Sequence, residues 1–251
     1  MTYLRIARGS PALVLHLVIV DLAKARPSFV TTAGDPGREL AFHAQTVSGF
    51  AEHEKVDLAI NGDFFEPWHT HGVFDYYPHV GDRCASYGLS VREGVTVCSG
   101  SRPGQANTVY LTDGRVIFTP PTGKYSALSG GWMLLQDGKV VPDPANEYHS
   151  TRHPRTAIGT DVTGRVLYLA VADGRQPNFS EGIDLPELAR VLASFGAKEA
   201  MNLDGGGSSA LAAKLNGRLD VVSWPIDKRI VGRERPVANH LGLRFPLSLR
   251  R

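Results

Sequence analysis

The 251-residue chain carries 27 basic and 25 acidic side chains, a formal charge of +2, with no basic stripe of the kind that neutralises duplex phosphates, so no nucleic acid partner is expected. Its 42% hydrophobic content supports an ordinary core, and no apolar run approaches the roughly 18 to 20 residues of a membrane span. The first residues lack the basic, apolar and small-residue succession of a secretory signal. A chain starting after a removed leader reads the same, so a secreted or periplasmic place and a cytoplasmic one both stay open. Cys84 and Cys98 could close one loop, yet two cysteines neither require a disulfide nor supply the four clustered ligands of a zinc site.

In chain order, residues 12–22 (ALVLHLVIVDL) form a short run rich in β-branched residues and leucine, which predicts a buried strand. Thr46 caps a short predicted helix through Val47, Phe50 and Ala51, and residues 56–60 then read as a strand that leads into Asn61-Gly62-Asp63. Asp113-Gly114, Asp137-Gly138 and Asn216-Gly217 are hairpin signals, flanked by short apolar strands such as 116–118 and 166–171. Asp184 with Glu187 makes a capping box; Leu185, Leu188, Leu192 and Phe195 form an apolar stripe, and Gly196 ends that helix. It feeds residues 199–204, so two helix-to-strand units end in Asn-x-Asp tips, Asn61 to Asp63 and Asn202 to Asp204, which are expected to face each other across one cleft. The fold class that follows is α+β: a single domain over residues 1–251, with a mixed β-sheet and a few helices packed on it.

The second tip continues as Gly205-Gly206-Gly207-Ser208-Ser209. Three consecutive glycines forgo side-chain packing, so they need a backbone reason: positive φ, or close approach of a ligand. Successive amides there could form an anion-binding nest, and the two serines add hydroxyl contacts. A second constellation is His69, His71 and His79 with Asp75, set among Trp68, Phe74, Tyr76 and Tyr77. It reads as an aromatic loop over the cleft that stacks on sugar faces. The His-x-His pair leaves room for a divalent cation, though no cofactor is required.

Asn61-Gly62-Asp63-Phe64-Phe65, the run RHPRTAIG over 152–159, Asp173-Gly174-Arg175, the run NLDGGGSSAL over 202–211 and Glu234-Arg235-Pro236-Val237-Ala238-Asn239 together resemble the phosphodiester glycosidase family. The resemblance runs over nearly the whole chain. It implies hydrolysis of a sugar 1-phosphodiester of the N-acetylglucosamine type at the anomeric carbon, with a carbohydrate or glycosyl-phosphate substrate.

Such a reaction passes through an oxocarbenium-like state, which needs carboxylates near the anomeric carbon and cations near the departing phosphate. Asp204 and Asp173, each after an apolar run and next to glycine, are the leading carboxylates. Arg155, stiffened by Pro154 and followed by a strand-like run, is the first phosphate contact, and Arg175 the second. Asn61 and Asn202 are expected to bond sugar hydroxyls or the acetamido group. Gly205, Gly206, Gly207, Ser208 and Ser209 would cradle phosphate or line the sugar subsite, and Asp63, Ser180 and Glu181 complete the substrate-binding set. Two other readings use the same residues. A serine hydrolase would place its nucleophile at Ser208 with His153 or His240 as base, although Ala210 stands where a nucleophile elbow has glycine. A non-catalytic carbohydrate-binding module would use the aromatic loop without turnover.

Overall fold

The apolar run of residues 12–22 forms the strand Ala12–Asp21 in the computed structural model, which describes residues 1–72, 74–102, 106–142 and 147–247. It is buried on both faces, which is why its sequence is continuous rather than alternating. It lies in a seven-stranded sheet in the order Thr2–Gly9, Ala12–Asp21, Val166–Ala172, Arg155–Thr160, Glu199–Asn202, Met133–Gln136, Lys139–Val140.

The helix Leu185–Ser194 covers one face of this sheet. Leu185, Leu188 and Leu192 pack there against Leu13, Leu15, Leu17 and Ala170, each buried leucine worth about 1.5–3 kcal/mol. Asp184 accepts from the Glu187 amide at 2.7 Å as the capping box requires. The Glu187 carboxylate does not reach back, however; it binds Arg8 and Arg152, both at 2.6 Å. Phe195 leaves the predicted stripe and is 37% exposed, and Gly196 ends the helix at φ 103°.

A five-stranded sheet runs Arg218–Val221, Leu211–Leu215, Leu58–Asn61, His240–Arg244, Ser28–Thr31, and another runs Val95–Cys98, Ser90–Arg92, Ser126–Gly130, Asn107–Thr112, Arg115–Ile117. One apolar cluster joins these three larger sheets, with Val18, Ile158 and Met201 from the first, Leu58, Ile60 and Leu241 from the second, and Val109, Leu111 and Leu128 from the third. Asp113-Gly114, Asp137-Gly138 and Asn216-Gly217 are the hairpin turns their sequences signal. The helix Val47–His53 starts at Thr46, whose hydroxyl accepts from the Gly49 amide at 3.1 Å.

The mixed sheet expected from the two helix-to-strand units is not found. All strand pairings among the described residues are antiparallel, and the parallel contact present is the isolated bridge between Ile226 and Arg233. Neither helix links two neighbouring parallel strands. Leu58–Asn61 pairs instead with Leu211–Leu215 and His240–Arg244, far along the chain. The architecture is α+β in the coarse sense only: sheet-dominated, with few helices. Cys84 and Cys98 are free thiols in one buried cluster, where burial pushes Cys84 up to about 12. No helix among the described residues is long and apolar enough to cross a membrane.

Candidate active site

The strands Leu58–Asn61 and Glu199–Asn202 belong to different sheets but end side by side, so the two Asn-x-Asp tips meet. The Asp204 amide donates to Gly62 O at 3.0 Å, and Asn61 Nδ2 donates to Asp204 O at 2.7 Å. Asn61 Oδ1 accepts from Thr156 Oγ1 at 2.8 Å and from the Ala210 amide at 3.3 Å. With every polar atom engaged and no exposure, Asn61 is the clasp that fixes the loop rather than a sugar contact. Asn202 is also buried away from the cleft, its Oδ1 without a hydrogen-bond partner among the described residues.

Beyond the tips opens a cleft of about 540 Å³, lined on one side by Asp204, Gly205, Gly206 and Gly207 and on the other by Phe64, Trp68 and Tyr87, with Tyr148, Arg175 and Arg235 around it. Asp204 is half-buried at its floor. Burial raises its pKa above the usual carboxylate range, against the opposing pull of the Ser208 hydroxyl, Arg235, the Gly205 amide and Arg175. Glu66, also in the lining, is held below its ordinary value by hydrogen bonds from Ser101 and Arg102, the latter at 2.8 Å. The cleft thus holds one carboxylate that retains its proton more readily and one kept ionised.

The glycines have a steric reason. A Cβ on Gly206 would stand 2.9 Å from Arg175 Nη2, and one on Gly207 would stand 2.4 Å from Arg235 Nη2. Two guanidinium groups therefore lie directly over bare backbone, a geometry that any side chain would block. Gly206 also has φ 63°, and Arg175 has φ 57°, unusual for an arginine. Arg235 is anchored by Nε to Asp227 at 2.9 Å, reaches Ser208 Oγ at 3.3 Å and sits 5.0 Å over the Trp68 ring. The expected anion nest is not formed. The Gly205 amide donates to Asp204 Oδ1, that of Gly206 to Pro154 O, and those of Ser208 and Ser209 to Gly205 O and Gly206 O. The run makes room for cations rather than cradling an anion itself. The Ser209 hydroxyl is buried beneath it.

Several expected site residues stand elsewhere. Asp173 does not reach the cleft: it is buried, with Oδ2 3.0 Å from His16 Nε2 and Oδ1 accepting from the Trp224 amide at 2.7 Å. Ser180 bridges Asp173 O and the Val14 amide, and Glu181 is exposed with its carbonyl bound to the Arg175 amide. These three hold the Asp173-Gly174-Arg175 turn in shape. Arg155 is fully buried beneath Tyr148, its Cζ 4.3 Å from that ring and its Nη2 donating to Thr151 O at 3.1 Å and to Tyr148 O. Through Nη2 it fastens the segment that carries Tyr148, while Nε and Nη1 are buried with no hydrogen-bond partner among the described residues, and burial lowers its pKa.

Asp63 is buried next to the cleft, not in its lining. Oδ2 accepts from the Gly88 amide at 2.7 Å while Oδ1 has no partner among the described residues, and desolvation lifts its pKa to about 7, with Asp204 adding to the rise. The residues missed by sequence reasoning include Arg235, Tyr148, Glu66 and Tyr87. Arg235 lies in a motif already singled out, ERPVAN, whereas Tyr148 carries no local signal.

His240 stacks on Phe50 with its ring nitrogens near Thr32 and Gln45, and burial lowers its pKa to about 3. Burial with Arg175 and Arg155 lowers His153 to about 4. Among the described residues no histidine hydrogen-bonds Ser208, whose hydroxyl is engaged by Asp204 and Arg235, so the serine–histidine pair of a serine hydrolase is not formed. His69, His71 and Asp75 bring one ligand atom each within 4.8 Å of one another on the hairpin His69–Thr70 and Tyr76–Tyr77, while His79 pairs with Asp82. The loop does border the cleft through Trp68, but its tip, Phe74, is 95% exposed.

Comparison with known proteins agrees with this geometry. The family model for phosphodiester glycosidase matches residues 54–244. Two curated relatives are N-acetylglucosamine-1-phosphodiester alpha-N-acetylglucosaminidases. That of Bos taurus is 29% identical over 79% of this chain and 38% of its own length, and that of Homo sapiens 30% identical over 79% and 39%. The chain therefore spans under two fifths of the length of these relatives. In structure it is similar to the zebrafish N-acetylglucosamine-1-phosphodiester alpha-N-acetylglucosaminidase catalytic domain auto-inhibited by its pro-peptide, with TM-score 0.65 and 22% identity over 97% of this chain and 81% of that one. A Burkholderia pseudomallei protein shares the fold at TM-score 0.64 and 17% identity, over 93% and 74%. The two-sheet cleft, its glycine run beneath two arginines and the matched length all lead to one assignment: the chain belongs to the phosphodiester glycosidase family.

Proposed function

We propose that this protein hydrolyses a sugar 1-phosphodiester of the N-acetylglucosamine type, breaking the bond between the anomeric carbon and the phosphate oxygen. The observation that carries the reading is the pairing, in one cleft, of a half-buried Asp204 with the guanidinium groups of Arg175 and Arg235. The arginines bind the phosphodiester and stabilise the charge that grows on it as the bond breaks. A phosphate leaves as a weak base, so its departure needs ionic contact more than a proton. Asp204 faces the developing positive charge and takes the proton of the water that adds to the anomeric carbon. The bonding pair leaves with the phosphate, and the products are the free sugar and a phosphate monoester. A carboxylate whose pKa is raised by burial suits a general base better than an ordinary one. Trp68, Phe64 and Tyr87 supply ring faces for the sugar.

The reading requires no cofactor. Where a divalent cation binds, His69, His71 and Asp75 are the residues to hold it. The test is release of N-acetylglucosamine from an α-linked N-acetylglucosamine 1-phosphodiester by the wild type and by Ser208→Ala. Turnover by both supports the glycosidase. Loss in Ser208→Ala together with ester cleavage by the wild type would indicate a serine hydrolase, and no turnover by a folded wild type would favour a binding module.

A further inference from the structure

Past Trp68, Arg175 and Arg235, which the two spaces share, the cleft continues into an outer groove of about 1230 Å³. Its lining adds Gln176, Phe179, Lys228 and Arg229, and includes no carboxylate. The acid beneath it is Asp227, buried and divided between Arg235 at 2.9 Å and Arg233 at 3.7 Å. Lys228 lies on the Tyr76 ring with no hydrogen-bond partner for its ammonium among the described residues, and burial and the neighbouring arginines lower its pKa. Arg229 is exposed. A second acid, Asp75, stands at the edge of the groove, 3.2 Å from the lining His71, so the cations Arg175, Lys228, Arg229, Arg233 and Arg235 still outnumber the two acids, a field that attracts a further negative charge.

The backbone gives an independent sign. Lys228 and Arg229 form the two-residue turn between Asp227 and Ile230, with φ 53° and 62°. Three other two-residue turns have the same signs, and each relieves its second position with glycine: Glu93-Gly94 at 51° and 86°, Asp137-Gly138 at 51° and 76° and Asn216-Gly217 at 51° and 81°. Only the turn at the cleft sets two long cationic side chains in a conformation that strains them, and such strain concentrates where it serves binding.

We propose that the outer groove is the aglycone subsite and that it selects an acidic aglycone, one carrying a second phosphate beyond the scissile phosphodiester. This rests on the glycosidase reading of the inner cleft. Two α-linked N-acetylglucosamine 1-phosphodiesters test it, one esterified to propanediol and the other to propanediol phosphate. The expected wild-type kcat/KM favours the phosphorylated aglycone by about tenfold or more, a preference that shrinks as salt rises. In Lys228→Asn/Arg229→Gly that ratio falls roughly tenfold, while the melting temperature holds or rises because Asn-Gly fits the turn. Arg229→Ala, at an exposed position, gives a smaller fall in the same ratio and covers the case of a misfolded double variant. A wild-type ratio near one, or a ratio unmoved by either variant, overturns the inference and leaves the glycosidase standing. Cleavage of neither substrate overturns the parent reading and the inference with it.

Discussion

Asp173-Gly174 and Asp204-Gly205 look alike in sequence, each an Asp-Gly pair following an apolar strand, yet the structure gives them opposite surroundings. Asp173 is enclosed, both carboxylate oxygens engaged by His16 and the Trp224 amide. Asp204 is half-buried at the floor of a cleft, beside two arginines and a hydroxyl. What separates them is the partner that reaches each. A histidine on the adjacent strand Ala12–Asp21 closes over Asp173, whereas the bare Gly206 and Gly207 keep side chains away from Asp204 and admit Arg175 and Arg235. A carboxylate with all its hydrogen bonds made inside the protein stabilises the fold; one left facing a cavity can act on something else.

Substitution should separate the two aspartates most sharply. Asp204→Asn is expected to lower kcat/KM by about 10³-fold or more without lowering the melting temperature, since the neutral amide escapes the desolvation that the carboxylate bears. Asp173→Ala is expected to cost about 3–5 kcal/mol in urea unfolding by leaving His16 and the Trp224 amide unsatisfied. At temperatures where it stays folded it should keep most of its turnover. Wild-type stability with lost turnover in Asp173→Ala would put it in the catalytic machinery after all.

Gly207→Ala sharpens the contrast from the side of the cations. The added methyl would lie 2.4 Å from Arg235 Nη2, the movable end of a side chain. The guanidinium should swing away at little cost in stability, and kcat/KM should fall about 10- to 100-fold. An equal loss in both properties would mean that the glycine serves packing alone.

Asp63 lies between the two cases, buried like Asp173 and coupled to Asp204. It holds its proton in the folded protein up to about 7, whereas the unfolded chain releases it near pH 4. The folded state thus binds the extra proton between those values, and stability falls as pH rises through that window, by as much as about 4 kcal/mol. Asp63→Asn should lose the Asp63 share of this fall and keep the part that the raised Asp204 carboxyl adds, which urea unfolding at pH 5 and pH 8 would show; curves parallel to the wild type would remove Asp63 from the coupled pair. The smallest effect expected is from chelation. Turnover in excess EDTA should stay within about twofold, because the reaction draws its charge from Asp204, Arg175 and Arg235, and a large loss would give His69, His71 and Asp75 a role in catalysis.

Much of this contrast was legible in the chain. The helix caps at Thr46 and Asp184 are local chemistry and appear where the sequence puts them. So do the hairpin turns and the meeting of the two Asn-x-Asp tips. The glycine run also marked the site, although its purpose differed: steric room for arginines instead of an amide nest. Burial was hidden. Asn61 and Asp173 carry the residue types of a sugar-phosphate site and spend them on internal contacts, a choice made by strands distant in sequence, and Arg155 is buried as well, with only Nη2 bonded among the described residues. Arg235 was missed for the converse reason, because its distance of 31 residues from Asp204 says nothing of the hairpin that folds it over Gly207.

The central claim is that water attacks the anomeric carbon, and hydrolysis of the N-acetylglucosamine 1-phosphodiester in ¹⁸O-labelled water tests it most directly. With Asp204 and the arginine pair acting as described, the carbon–oxygen bond breaks and the phosphate monoester carries no label. Label in the phosphate would mean attack at phosphorus, and would contradict the account.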